Sequence, residues 1–390
     1  MNTLNETKII VPAGHTESVA RAIFALEEGV FTKIICGAAN TNEGHVERLA
    51  LVYALSGVHV IDVAPSQSII QSAKTGIKKA SELYEKNPEA FSFYKEPVIM
   101  VSINAGDDLH FRKAEINYEK CTNCFECIDS CPSKALYSGC HSEGFSPKNL
   151  SNDNYKLPSQ EGQILRFTQD DRRSPDDNRI QLNKNNCFGC GRCKNACLQN
   201  AIEFTNFNNS QTPVIARRGE VPTGQSYEEI KAVEIHTGNN SIEEVKNFLE
   251  LNVSLLKNIE LLSFCVESKR FNPAELQNYV SSLINLVSQK VIIQIDGIPM
   301  GATDKHCSSL QAVSAAAVLL ENKLDAYIQL SGGTNQFTKK LVNQLGLKIS
   351  GIAYGTFARK IILSYLDELE DNFSAQLQRI VNITTSLVVN

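Results

Sequence analysis

Apolar positions along the chain fall into two alternating rhythms: short runs rich in Val and Ile, and longer segments with apolar residues three or four apart. The first rhythm predicts strands and the second predicts helices. Eight strand-like runs stand out: Thr32–Ala38, Val58–Ala64, Pro97–Asn104, Lys231–Gly238, Ile259–Glu267, Lys290–Ile298, Asp325–Gly333 and Lys348–Thr356. A helical stretch follows each of them except the third, where the unit is interrupted. Runs such as VIMVSI and VIIQI are almost continuously apolar, as strands covered by helices on both faces must be. Eight such units predict an α/β fold, a closed (β/α)8 TIM-like barrel. An open doubly wound sheet would show the same alternation.

Residues 16–29 read as an amphipathic helix ahead of the first strand, started at Thr16, stopped at Gly29 and placed to cover the barrel bottom. After the third strand the barrel rhythm ceases, and a small domain is predicted to be inserted there. The expected division is a first barrel part at 1–106, an inserted domain at 107–210 and the rest of the barrel at 211–390. Insertion into a loop is tolerated when the interrupted ends lie close together. Within the insert, residues 141–183 are rich in Ser, Asn and Asp and lack apolar periodicity. That composition predicts a flexible loop.

Composition narrows the function. A net charge of −5 gives no global basic field, which argues against nucleic acid as a partner. The N-terminal MNTLNETKII has no signal-peptide character, and no apolar run is long enough for a membrane span. The expectation is a cytoplasmic protein without membrane insertion.

The chemistry lies in the cysteines. Eight of twelve form two runs: Cys121, Cys124, Cys127 and Cys131, then Cys187, Cys190, Cys193 and Cys197. Such clustering in a large chain favours metal over disulfides. The 2-2-3 spacing occurring twice is a poor zinc-finger pattern. It is the run of bacterial two-cluster ferredoxins, in which the fourth cysteine of each run ligates the other cluster. Cluster 1 is then assigned to Cys121, Cys124, Cys127 and Cys197, and cluster 2 to Cys187, Cys190, Cys193 and Cys131. This part of the chain resembles that ferredoxin domain, an α+β fold with two [4Fe-4S] clusters. The linker between its halves is longer than the family's, and Leu198 stands where proline usually follows the last cysteine. The missing proline raises the expectation that cluster 1 is labile, or a [3Fe-4S] form. Of the other cysteines, Cys36 and Cys265 read as small buried hydrophobes. Cys140 beside His141 reads as a spare ligand or reactive thiol, and Cys307 beside His306 as a weak nucleophile candidate.

Barrel sites lie where strands end, often with phosphate on the loops after strands seven and eight. Those loops carry Gly332, Gly333 and Thr334, and Gly355 and Thr356, which marks them as candidates for a phosphorylated ligand or a flavin. Asp62, Asn104 and Asp296 are candidate polar groups at the barrel top. His236 and Glu267 also end strands, although single polar residues there often serve as helix caps.

Taken whole, the chain resembles the cyanobacterial light-dependent period proteins (LdpA). The resemblance is carried by IICGAANTNEGHVERLALVYALSGVHVIDVAP, by the paired cysteine motifs, and by IDGIPMGATDKH, IQLSGGTNQFTKKL and GIAYGTFARKII. It implies a redox-active iron–sulfur protein of the circadian light-input pathway, with clock input and core proteins as partners and an electron donor or acceptor besides. The alternative is a ferredoxin-linked barrel oxidoreductase that uses a flavin.

Overall fold

The computed structural model describes residues 15–106, 109–131, 133–138, 179–187, 189–206, 229–298, 307–366 and 373–389. In chain order its strands are β1 (Phe31–Ile35), β2 (Val60–Val63), β3 (Val98–Asn104), β4 (Arg112–Ile116), β5 (Leu136–Ser138) and β6 (Ile180–Leu182). They continue as β7 (Ile202–Asn206), β8 (Ala232–His236), β9 (Leu261–Glu267), β10 (Val291–Asp296), β11 (Ala326–Ser331) and β12 (Gly351–Tyr354). Each predicted run coincides with one of β1–β3 or β8–β12, β1 beginning one residue earlier than expected, at Phe31. These eight close into a barrel in sequence order, with every neighbouring pair parallel. Closure excludes the open doubly wound sheet. No helix among the described residues is long and apolar enough to cross a membrane.

The bottom of the barrel is plugged. Helix α1 (Glu17–Glu27) turns Val19, Ala22, Ala25 and Leu26 into a cluster with Phe31, Val60, Met100, Leu261 and Tyr327 from the strands. Thr16 sits at its N-cap without a side-chain bond; instead its backbone N–H donates to the Glu260 carboxylate. The outer layer begins with α2 (Glu43–Leu55) and α3 (Gln67–Lys86). They pack so closely that a Cβ on Gly76 would lie 2.2 Å from the Glu47 carbonyl oxygen. A C-terminal helix, Phe373–Val389, which the strand count did not anticipate, lies on α2 and buries Leu377, Ile380 and Val381.

β3 pairs directly with β8, placing Asn104 opposite His236. The chain therefore leaves the barrel at one strand and re-enters at its spatial neighbour, so the inserted residues cost the barrel no pairing. Within the insert, β4 pairs with β7 and β5 with β6, both antiparallel. Two short helices, α4 (Glu126–Asp129) and α5 (Arg192–Ala196), stand against each other between the ladders. The expected loop lies mostly outside the described residues, as do Cys140, His141 and His306.

Candidate metal centre

The two cysteine runs build two matching wraps. Asn123 and Phe125 take left-handed backbone, with φ of 54° and 66°. Gly189 and Gly191 do so at the same offsets in the second run, with φ of 70° and 78°. The residue three after the fourth cysteine repeats the match, with Lys134 at 51° and Asn200 at 50°. Left-handed residues are uncommon outside glycine. Here they curl the backbone around the space that the thiols face. Amides then reach the sulfurs: Ala135 N–H donates to Cys131 Sγ at 3.3 Å, Ala201 N–H to Cys197 Sγ at 3.2 Å and Ala114 N–H to Cys187 Sγ at 3.5 Å.

The eight thiols sort into two groups of four. Cys121, Cys124, Cys127 and Cys197 line one cavity, whose remaining wall is largely apolar and includes Ile116, Ile180 and Ile202. Burial, and then Cys121, Cys124 and Cys197, push the Cys127 thiol up to about 11. In the other group, burial, and then Cys190, Cys187 and Cys131, push Cys193 up to about 12. Each fourth cysteine thus stands with the other run's first three, as the ferredoxin pattern implies. Thiols gathered this closely in an apolar pocket stay protonated unless a cation replaces their protons. The donor set and the pocket fit a thiolate-ligated metal group.

The turn after each fourth cysteine is also shared. Lys134 N–H donates to the Cys131 carbonyl at 3.3 Å and Asn200 N–H to the Cys197 carbonyl at 3.2 Å. Leu198 points away, 85% exposed. The turn at Cys197 therefore closes without the proline.

Beneath the second tetrad lies the barrel's upper face. Arg359, buried to 2% exposure, donates to the Ile35 carbonyl at 2.6 Å and the Thr356 hydroxyl at 3.2 Å. Its charge acts on Cys36, Cys190 and Asp62. A cavity of about 750 Å³ separates Cys190 and Arg192 from Glu267, Asp296 and Gly297 at the ends of β9 and β10. His110 Nε2 stands 3.2 Å from Asp296 Oδ2, and the His110 ring packs on that of His236.

Below the cavity the barrel interior is polar. Lys33 is ion-paired with Glu234, and both side chains are wholly buried. Glu234 also accepts from Ser263 Oγ and Gln294 Nε2, each at 2.9 Å, with His236 Nε2 at 3.3 Å. Gln329 Nε2 extends the network by donating to Gln294 Oε1 at 2.6 Å. Burial opposes ionisation of Glu234, but Lys33 and His236 outweigh it and hold the carboxyl low. Asp62 goes the other way: burial raises it to about 6, although Lys33 pulls it down and Ser102 donates to it at 2.7 Å.

Comparison with known proteins decides the relationship. The model of a 4Fe-4S binding domain matches residues 113–136, and that of the light dependent period A C-terminal domain matches residues 226–389. Light dependent period A of Synechococcus elongatus is 27% identical over 359 residues, covering 89% of this chain and 85% of its own length. The chain is thus similar to light dependent period A over most of its length. Its first cysteine run lies in a 4Fe-4S binding domain, so it is an iron–sulfur protein. Among solved structures, tryptophan synthase from M. tuberculosis covers 94% of this chain and 99% of its own at 9% identity, with a TM-score of 0.38. The YdjI aldolase from Escherichia coli K12 covers 94% and 90% at 8% identity, with a TM-score of 0.37. Likenesses this loose say nothing about activity, and the barrel is read from its own strand order.

The other candidate residues are scattered over the chain. Asp296 faces the cavity, Asp62 lies deeper among the interior polar groups, and Asn104 accepts from Gly106 N–H at 3.0 Å as a turn cap. Gly332 and Gly333 have φ of 64° and 83°. A Cβ on Gly332 would lie 2.0 Å from Asp296 Oδ1, and one on Gly333 would lie 2.2 Å from the Ser308 carbonyl oxygen. Thr334 Oγ1 donates to the Ala353 carbonyl at 2.6 Å. That loop is packed against its own protein, whereas Gly355 has room beside it. Cys36 is pushed up to about 12, chiefly by burial, and Cys265 is raised for the same reason, as befits buried protonated thiols. Cys307 is exposed. Sequence reasoning missed Lys33, Glu234, Gln294, Gln329 and Arg359. The first four share a signal, a polar residue on the inward parity of an otherwise apolar strand.

Proposed function

We propose that this chain is a two-cluster iron–sulfur protein that carries electrons or senses redox state, and that it couples cellular redox, and through it light, to circadian clock input. The observation that carries the reading is the sorting of eight thiols into two crossed tetrads, each wrapped by left-handed backbone. A bound [4Fe-4S] cluster supplies one-electron exchange at each tetrad. The chain's own part is to exclude water with Ile116, Ile180 and Ile202, and to aim the Ala114, Ala135 and Ala201 amides at sulfur. Such hydrogen bonds favour the more negative, reduced state. Arg359 adds a buried positive charge on the side of Cys190. One unit of charge change in a low-dielectric setting is enough to bias a contact with a partner. The partners expected from the LdpA resemblance are clock input and core proteins, in the cytoplasm.

A second reading, a barrel oxidoreductase with a flavin or phosphorylated ligand, draws on the cavity between insert and barrel. Gly332 and Gly333 are closely packed, and Gly355, which has room beside it, lies outside the lining of that cavity. Flavin absorbance in purified protein would favour it.

Anaerobic purification with iron and sulfide analysis and redox-titrated EPR tests the first reading. Two four-iron signals are expected. Cys197→Ser should damage only the one associated with Cys121, Cys124 and Cys127. A protein that binds zinc or no metal refutes the reading, and a mutant that damages the other cluster refutes the crossed assignment.

A further inference from the structure

The cavity between the second tetrad and the barrel top is unused by the reading so far. Its volume of about 750 Å³ is within the range of small-molecule sites, and it lies at the strand ends where barrel sites are built. Four cationic side chains line it, Arg112, Arg192 and Lys194 from the insert and Lys269 from the barrel, against two carboxylates, Glu267 and Asp296. Glu267 lies 3.1 Å from Lys269 Nζ, and Asp296 lies 3.2 Å from the His110 imidazole Nε2. Cys190 is in the same wall. Beside it Gly191 leaves the wall open, since a Cβ there would meet nothing within 4 Å.

We propose that this cavity binds a small multiply charged oxyanion, a phosphate or a dicarboxylate, and that its occupancy sets the redox poise of the second tetrad. The inference rests on that tetrad holding an iron–sulfur cluster. An electron added behind Cys190 and an anion in the cavity draw on the same cationic side chains, so each opposes the other. Linkage makes the opposition reciprocal: an anion that binds the reduced protein more weakly lowers the reduction potential by the same factor. One added charge about 10 Å away, at a protein's effective dielectric, changes affinity about tenfold for each unit of charge on the anion, so tenfold is the least shift expected. For one electron that factor is about 59 mV.

The test uses holoprotein whose iron and sulfide content has been measured, at ionic strength held constant with KCl. Calorimetry with inorganic phosphate and with succinate is run on oxidised and dithionite-reduced protein, alongside redox-titrated EPR. At least one probe should bind the oxidised form more tightly, by about tenfold or more, and lower one cluster's potential by about 59 mV or more. Phosphate alone, succinate alone or both would each support the site and name its chemistry. Arg192→Gln, and Lys269→Gln on the barrel side, should each weaken binding about tenfold with iron content unchanged. No saturable binding of either probe, or binding that both variants leave intact, overturns the proposal. Protein without clusters would refute the redox reading beneath it instead.

Discussion

Replacing Lys33 with Met tests whether the barrel interior is held by its ion pair. In the native protein Glu234 is wholly buried, with the Lys33 ammonium, Ser263, Gln294 and His236 around its two oxygens. Lys33→Met leaves the volume filled and the dipoles in place but removes the charge that makes the buried carboxylate tolerable. Breaking a buried pair from one side costs about 3–5 kcal/mol, because the remaining charge cannot reach water. At about 2–4 °C per kcal/mol for a large domain, the melting temperature should fall by about 6–20 °C at pH 7. The deficit should shrink toward pH 5, where the orphaned carboxyl escapes by taking up a proton. Lys33→Met with Glu234→Gln should recover more than half of the loss, since no charge is then stranded. Circular dichroism melts on protein of unchanged iron content make the measurement. A single mutant within about 2 °C of wild type, or a double mutant no better than the single, would show that the pair does not hold the interior together.

Two further outcomes follow from local geometry. Gly76→Ala would be favourable in an open helix, but its Cβ would meet the Glu47 carbonyl oxygen at 2.2 Å; forcing α2 and α3 apart should cost about 1–3 kcal/mol, and a melt that rises instead would refute the close packing. The Asp62 carboxyl is raised from 3.8 to about 6, so its contribution to stability is full below about pH 4 and is lost as pH climbs through 6. Asp62→Asn should therefore flatten the decline in melting temperature between about pH 4 and about pH 6.5, and an unaltered profile would show that Asp62 does not titrate there.

Strand identity was legible because a strand buried on both faces favours Val, Ile and Leu, as β3 and β10 show most clearly and β12, GIAY, least. The barrel interior was harder to read. In Ala232–His236 the residues Ala232, Glu234 and His236 share one parity, as do Ile292, Gln294 and Asp296 in β10. Each strand taken alone shows one or two polar residues that read as caps or accidents. Only closure of the sheet brings Lys33, Glu234, Gln294 and Gln329 into one network, since the contacts cross sequence separations that no local pattern records. Gly332 and Gly333 show the opposite failure. Sequence marks them as phosphate candidates, but their positive φ serves a turn that packs closely on Asp296, Ser308 and Ile298.

The cysteine spacing marks the candidate ligands, and the linker between the runs is longer than the ferredoxin family's. The pairing of β5 with β6 brings its ends together. Ser138 lies opposite Ile180, so the chain on either side of the linker is held together by the ladder. The entropic cost of closing a loop grows only with the logarithm of its length, and doubling the length adds about 0.6 kcal/mol. The crossed tetrads bind the halves further, because Cys131 is needed beside Cys187, Cys190 and Cys193, and Cys197 beside Cys121, Cys124 and Cys127. Neither run completes a tetrad alone. The described ends of the linker are held by the β5–β6 ladder, and Ile180 of that ladder lines the first tetrad's cavity, so under the two-cluster proposal a change of cluster charge would be felt first at that ladder.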